Sequence, residues 1–70
     1  MAFAVNIDGI DDRILDFAGY HFVDENEEFK VYRDKYMQDH IVRKSDSFLY
    51  VDELDEAQAI SVSRIVTLDD

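Results

Sequence analysis

No cysteine occurs among the 70 residues of this chain, so neither a disulfide framework nor a thiolate zinc site can hold the fold together. A chain of this length buries only about 60% of the surface that its unfolded state exposes, which leaves room for one small core. Hydrophobic residues make up 47% of the chain, more than a disordered acidic chain carries. The sequence therefore predicts a single folded domain over residues 1–70, stabilised by apolar packing or by a partner chain.

Short aromatic and β-branched runs separated by polar stretches predict antiparallel strands. The runs YHFV (20–23) and FKVYR (29–33) flank the acidic stretch DENEE, which is typical of a hairpin with a solvated loop. The opening run AFAVNI (2–7) predicts a further short strand that ends at an Asp-Gly turn.

A second hairpin is predicted where HIV (40–42) and FLYV (48–51) flank the polar turn 44–47. With one or two short helices, these runs predict an α+β fold in which a small antiparallel sheet of about four strands packs against the helices. The predicted core takes apolar residues from both hairpins and from the second helix: Phe22, Phe29, Val31, Ile41, Leu54 and Ile65.

A first helix is predicted between residues 10 and 18. Asp11 or Asp12 can cap its start, and Gly19 stands where a left-handed residue commonly ends a helix. Ile10, Ile14, Phe17 and Ala18 repeat at helical spacing, so they form the predicted apolar face.

A second helix is predicted to start near Glu53, with Asp52 as its cap and further carboxylates in the first turn, where the helix dipole stabilises negative charge. The run ISVSRIVTL that follows is β-branched and partly alternating. It leaves two alternatives: one helix through Val66, which we favour, or a helix that ends near Ser61 and is followed by a strand.

Charge is the most pronounced compositional feature, because 17 acidic residues against seven Lys and Arg give a net charge of −10. Such a field repels nucleic acid and anionic membranes and attracts basic surfaces. The charge is uneven: residues 30–44 hold five cations and two aspartates, net +3, which leaves −13 on the rest of the chain. We expect the basic strip in 30–44 to pair with the acidic excess or to form one side of a protein interface, rather than to bind nucleic acid.

No motif for catalysis or for cofactor binding is present. An EF-hand loop counted from DENEE fails, because Phe29 and Lys35 stand where glycine and glutamate are required. His21 and His40 do not show the spacing of metal ligands on one helical face, and no glycine-rich phosphate loop exists. The sequence therefore predicts no enzymatic activity, no cofactor and no metal site.

The acidity favours a non-enzymatic protein-binding domain that occupies a basic surface, in the manner of a nucleic-acid mimic that inhibits a nucleic-acid-binding enzyme or complex. Small size and acidity are shared with inhibitors from phages and mobile elements, including anti-CRISPR proteins, although no motif supports that likeness. The final Asp69 and Asp70 add to the charge. The predicted partner-binding residues come from two segments: Asp24, Glu25, Glu27, Glu28, Asp52, Glu53, Asp55 and Glu56.

An alternative function is a small structural or regulatory homodimer, in which an aromatic second face of the sheet is buried between subunits and the acidity serves solubility. The predicted dimer interface consists of Tyr32, Tyr36, Phe48 and Tyr50.

A cytoplasmic location is predicted. The first twelve residues lack the basic and apolar regions of a signal peptide, and no apolar run approaches the roughly 20 residues of a membrane span.

Overall fold

Two three-stranded antiparallel sheets and two short helices make up the fold. The computed structural model describes residues 2–68. The α+β class is confirmed, but the strands number six in two sheets rather than about four in one. In chain order the elements are β1 (Ala2–Asn6), α1 (Asp12–Phe17), β2 (His21–Glu25), β3 (Phe29–Arg33), β4 (Asp39–Arg43), β5 (Phe48–Val51), α2 (Leu54–Ile60) and β6 (Ile65–Leu68).

The first sheet has the order β5-β1-β6, and we call it the β1 sheet; the second has the order β2-β3-β4, and we call it the β3 sheet. The hairpin between β2 and β3 is confirmed, and a bulge at Val23 shifts its register. The predicted pairing of β4 with β5 is wrong. The turn 44–47 instead carries the chain from one sheet to the other, with Ser47 in a left-handed conformation at φ 58°. β4 pairs with β3 instead, and residues 34–38 form the turn between them, which the sequence pattern did not predict.

β1 forms the centre of the core. Phe3 and Val5 lie opposite Val51 and Leu49 of β5, so these four side chains share the face that points inward. Helix α2 packs on β1 and contributes buried side chains, and the inner face of the β3 sheet closes the core from the other side. The buried cluster comprises Phe3, Val5, Ile7, Leu15, Tyr20, Tyr32, Val42, Leu49, Val51, Ala57 and Ile60.

Most of the predicted core residues lie outside the core. Phe22, Ile41 and Leu54 are exposed, and Phe29 and Val31 are half-buried, whereas Ile65 is half-buried and packs against the core. The β3 sheet turns its other face inward, so that Tyr32 and Val42 are buried in place of their neighbours in the sequence. Successive strand residues point to opposite faces, and both faces of these strands carry apolar side chains, so local alternation could not select the inner one.

Helix α1 begins and ends as predicted. Asp11 is its N-cap and accepts a hydrogen bond of 2.8 Å from the Arg13 backbone N–H. Gly19 has φ 98°, and the flanking Tyr20 N–H bonds the Leu15 carbonyl, which is the Schellman termination. The predicted apolar face is confirmed in part: Ile10 and Ala18 pack against the core, but Phe17 is 89% exposed and Leu15 is the buried residue of the helix.

The alternative in which α2 ends near Ser61 and a strand follows is confirmed, and a single helix through Val66 is wrong. α2 ends at Ile60, Ser61 is extended at φ −166°, and β6 pairs antiparallel with β1. Without β6, one edge of β1 would leave its backbone groups without partners, and the β-branched residues of β6 suit a strand.

A matched pair of leucine substitutions tests the core. Leu49→Ala, at a side chain that is 0% exposed, should lower the free energy of unfolding by about 3 kcal/mol through lost burial and a cavity. Leu54→Ala, at a side chain that is 44% exposed, should cost less than about 1 kcal/mol. Urea unfolding followed by circular dichroism measures both. Equal losses would contradict the burial described above.

Candidate protein-binding surface

One of the two predicted acidic segments lies at the start of helix α2, and we call it the α2 cluster (Asp52, Glu53, Asp55 and Glu56). Asp52 and Glu53 precede the helix, and the other two residues lie in its first turn. The helix is anchored from its other side, where Ala57 and Ile60 are buried in the core. The predicted Asp52 cap is wrong: Glu53 is the N-cap residue, and its side chain makes no capping hydrogen bond. The cluster is therefore held by the helix backbone, and capping does not occupy its carboxylates.

Glu56 is tied to the start of β2. The Tyr20 hydroxyl donates a hydrogen bond of 3.1 Å to Glu56 Oε2, while the Tyr20 ring is buried in the core. The pKa of Tyr20 is raised well above its usual range, first by burial, then by the charge and hydrogen bond of Glu56, and further by the charges of Asp34 and Asp52. Three carboxylates from separate parts of the chain, Glu56, Asp34 and Asp52, thus act on one hydroxyl.

Asp34 contributes to this environment while it organises the turn between β3 and β4. Its carboxylate is buried and accepts hydrogen bonds from the backbone N–H groups of Tyr36 and Gln38, at 2.8 and 3.0 Å, and lies 2.8 Å from His40 Nε2. The hydrogen bond with His40, followed by those from the backbone, lowers the pKa of Asp34. The Tyr20 ring packs edge-on against His40 at 5.1 Å.

The loop between β2 and β3 carries the other acidic segment, which we call the tip cluster (Asp24, Glu25, Glu27 and Glu28). Asn26 closes the turn, because its side-chain oxygen accepts hydrogen bonds from two backbone N–H groups of the loop. Glu25 pairs with Lys44 at 2.6 Å, and the hydrogen bond and charge of Lys44 lower the pKa of Glu25. The tip cluster is therefore partly neutralised by the adjacent turn.

The two clusters lie at opposite ends of β2. The α2 cluster adjoins Tyr20, directly before this strand, and the tip cluster begins where the strand ends. His21, Phe22 and Val23 stand between Tyr20 and the first residue of the tip cluster, so the two clusters are joined through one short stretch of β2.

Most of the cations in the basic strip, residues 30–44, form ion pairs with carboxylates. Carboxylates lie within 4 Å of four cations: Arg13 with Asp11, Arg33 with Asp39, Arg43 with Asp46, and Lys44 with Glu25. Three of these pairs take cations from residues 30–44, as expected from the charge pattern. In the part of the chain that the structure describes, Glu25 is the sole member of the two clusters with such a partner. Asp69 and Asp70 lie outside the described residues.

Neither histidine adjoins a nucleophile. His40 pairs with Asp34 and His21 with Asp16, and neither imidazole bonds a Ser or Thr hydroxyl within residues 2–68. A surface pocket of about 540 Å³ lies between the β1–α1 loop and the β3 sheet, lined partly by Lys30, Lys44 and Tyr32, and it contains no histidine. No group of three or more metal-ligating side chains is gathered in 2–68. The helices described there are also too short and too polar to cross a membrane.

The four residues predicted for a dimer interface do not share a surface. Tyr32 is 1% exposed, and its hydroxyl bonds Asp12 at 3.0 Å, so its ring belongs to the core rather than to an interface. Tyr36 projects from the turn between β3 and β4, with the Lys35 ammonium 5.3 Å from its ring centroid. Phe48 and Tyr50 lie on the outer face of the β1 sheet, on the far side of the core.

Sequence reasoning found the acidic clusters and missed their supports. Tyr20 and Glu56 are 36 residues apart, and no local spacing connects them. The bond between Asp34 and His40 spans six residues across a turn that was not predicted. No known protein family, curated protein or solved structure matches this chain.

The role of Asp34 can be tested through the pH dependence of stability. Because its pKa in the folded state is lowered, Asp34 contributes stability above its unfolded value of 3.8, and this stability is lost as the pH falls through the lowered value. Asp34→Asn should lower the urea midpoint at pH 7 and flatten its fall below about pH 4. Asp8→Asn, an exposed control without a side-chain hydrogen bond in residues 2–68, should reproduce the parent profile. If the urea midpoints of the parent, Asp34→Asn and Asp8→Asn change with pH in the same way, this role of Asp34 is contradicted.

Proposed function

We propose that this chain is a non-enzymatic acidic binding domain whose carboxylates occupy a basic, nucleic-acid-binding surface of another protein. It thereby acts as an inhibitor that mimics nucleic acid, of the kind that phages and mobile elements direct against host defence. The observation that carries the proposal is the α2 cluster. Its four carboxylates lie within five consecutive residues at the start of the helix, and none has a Lys or Arg within 4 Å among residues 2–68.

The distribution of ion pairs supports a binding role. A chain whose acidity served solubility alone has no need to hold its uncompensated carboxylates together. Here the cations Arg33, Arg43 and Lys44 pair with nearby acids, while the carboxylates of the α2 cluster have no Lys or Arg within 4 Å among residues 2–68. The charge of Asp34 also acts on the Tyr20 hydroxyl, which bonds Glu56 of this cluster. The net charge of −10 would also steer the domain toward a basic target.

The anchoring of the helix favours it as a binding surface. Ala57 and Ile60 fix the helix in the core, and the bond from Tyr20 holds the Glu56 side chain. A carboxylate that is ordered before binding, as Glu56 is, loses less conformational entropy when it meets a partner. Their target is a surface of Lys and Arg that binds phosphates, because such a surface matches several carboxylates at once.

The separation of the clusters suits a groove for nucleic acid. An elongated basic groove would contact the α2 cluster at one end and the tip cluster at the other. We assign the larger contribution to the α2 cluster, because Lys44 partly neutralises the tip cluster.

Two variants with equal loss of charge test the proposal. The first replaces the α2 cluster by its amides (Asp52→Asn, Glu53→Gln, Asp55→Asn and Glu56→Gln), and the second does the same to the tip cluster (Asp24→Asn, Glu25→Gln, Glu27→Gln and Glu28→Gln). Glutamine at 56 retains an oxygen that accepts the Tyr20 hydrogen bond, so the fold should be preserved. Circular dichroism and urea unfolding confirm that both variants are folded.

The partner is recovered with the immobilised parent chain from host extract at low salt and identified by mass spectrometry. The chain should then displace a labelled DNA or RNA oligonucleotide from the recovered protein. The α2 variant should lose at least about tenfold in affinity, equivalent to about 1.4 kcal/mol, and the tip variant less. Affinity of the parent should fall as the salt concentration rises, because the Debye length shortens from about 10 Å at 0.1 M to about 3 Å at 1 M.

Other outcomes separate the competing explanations. Equal losses in both variants would indicate a response to net charge without a located site. If both folded variants bind with full affinity, the acidic residues serve only solubility and the proposal is contradicted. If the chain binds a recovered partner but displaces no nucleic acid from it, the protein-binding role stands and the mimicry of nucleic acid is contradicted.

A further inference from the structure

β6 has an uncovered edge. It pairs with β1 on one side, and no other helix or strand of the described chain packs extensively against it. The remaining sheet edges are protected: β4 and β5 contact each other where the chain changes sheets, and β2 carries a bulge and contacts α1.

The backbone groups that β6 exposes follow from its register. The Asn6 N–H donates to the Arg64 carbonyl at 3.3 Å, and Asn6 lies opposite Arg64 in the continuation of this antiparallel ladder. Residues of an antiparallel strand alternate between those that bond the partner strand and those that point away from it. Val66 therefore points its N–H and carbonyl toward β1, whereas Ile65 and Thr67 direct theirs outward.

The composition of β6 favours pairing at this edge. Its sequence is Ile-Val-Thr-Leu, with three β-branched residues and no charge, in a chain whose net charge is −10. Edge strands are normally protected by lysine, by proline or by a bulge, and β6 has none of these. Val66 is half exposed on the outer face of the β1 sheet, in the same row as Ala4 and Tyr50.

We propose that β6 pairs antiparallel with β6 of a second copy of this chain, so that two three-stranded β1 sheets join into one continuous sheet. A two-fold axis at Val66 would place Ile65 of each copy opposite Thr67 of the other, and the outward N–H and carbonyl groups of both residues would bond across the axis. The proposal does not depend on the acidic clusters, which lie on other elements.

The charges that flank β6 select a second copy as the occupant. Arg64 directly precedes the strand, and the sequence continues after it with Asp69 and Asp70. Antiparallel self-pairing sets Arg64 of each copy opposite Leu68 of the other, the residue after which the sequence turns acidic. Parallel pairing would bring like charges together at both ends. An uncharged strand also offers no complement to the basic partner proposed above.

The dimer should be weak and should strengthen with salt. A four-residue edge buries less than the roughly 800 Å² per partner of a standard interface. Two chains of net charge −10 repel each other, and salt screens this repulsion. Binding to a basic partner responds to salt in the opposite direction, so failure of one proposal is distinguishable from failure of the other.

Sedimentation equilibrium of the full chain tests the proposal from about 10 µM to about 1 mM, at low salt and at high salt. The apparent mass should rise from 8.2 kDa toward twice that value, and it should rise further at high salt. Thr67→Pro removes an outward N–H that β1 does not use, a position where edge strands tolerate proline, and should keep the chain monomeric. Thr67→Val, the matched control, retains that N–H and should dimerise like the parent.

Amide hydrogen exchange of the parent chain gives an independent measurement in case Thr67→Pro fails to fold. The amides of Ile65 and Thr67 should become protected as concentration rises, whereas protection of Val66 should not change, because its N–H already bonds β1. A constant mass of 8.2 kDa would overturn the proposal. So would a dimer that persists in folded Thr67→Pro, or concentration-dependent protection confined to other strands.

Discussion

The pairing of β1 on both of its edges is the interaction on which the rest of the structure depends. β5 occupies one edge and β6 the other, so residues near both ends of the described chain meet on one strand. This arrangement satisfies the backbone groups of β1 and turns Phe3 and Val5 into the core. It also forces the chain after α2 to become extended, and it fixes the direction in which α2 and its carboxylates leave the β1 sheet.

Tyrosine hydroxyls connect this core to the charged surface. A small domain has little apolar volume, and a buried tyrosine contributes a large ring while its hydroxyl still needs a hydrogen-bond partner. Tyr20 reaches Glu56 and Tyr32 reaches Asp12, so carboxylates on both helices satisfy buried aromatic residues from the β3 sheet side. Packing and surface charge are therefore linked, because the residues that hold the helices in place also position acidic groups.

The distribution of surface charge depends on which acidic residues lie near the cations. Cations of β3, β4 and the adjoining turn lie beside acids on the same or adjacent elements, and they form exposed ion pairs that contribute little stability. The carboxylates of the α2 cluster have no Lys or Arg partner among the described residues. The uneven field thus results from topology as much as from composition. It leaves a charged patch on α2 and an uncharged edge on β6, two surfaces that suit different partners.

The sequence by itself determined the α+β class, the hairpin of β2 and β3, the ends of α1 and the location of the acidic segments, because turn residues, caps and charge act over a few positions. Tertiary structure alone decided which face of the β3 sheet is buried, since Val31 and Tyr32 are both apolar enough to be inside. It also decided that the chain changes sheets at 44–47 and that β6 is a strand, because both depend on pairing with β1, about 60 residues away for β6. The support of Glu56 by Tyr20 has the same cause: a contact between distant residues has no local signal.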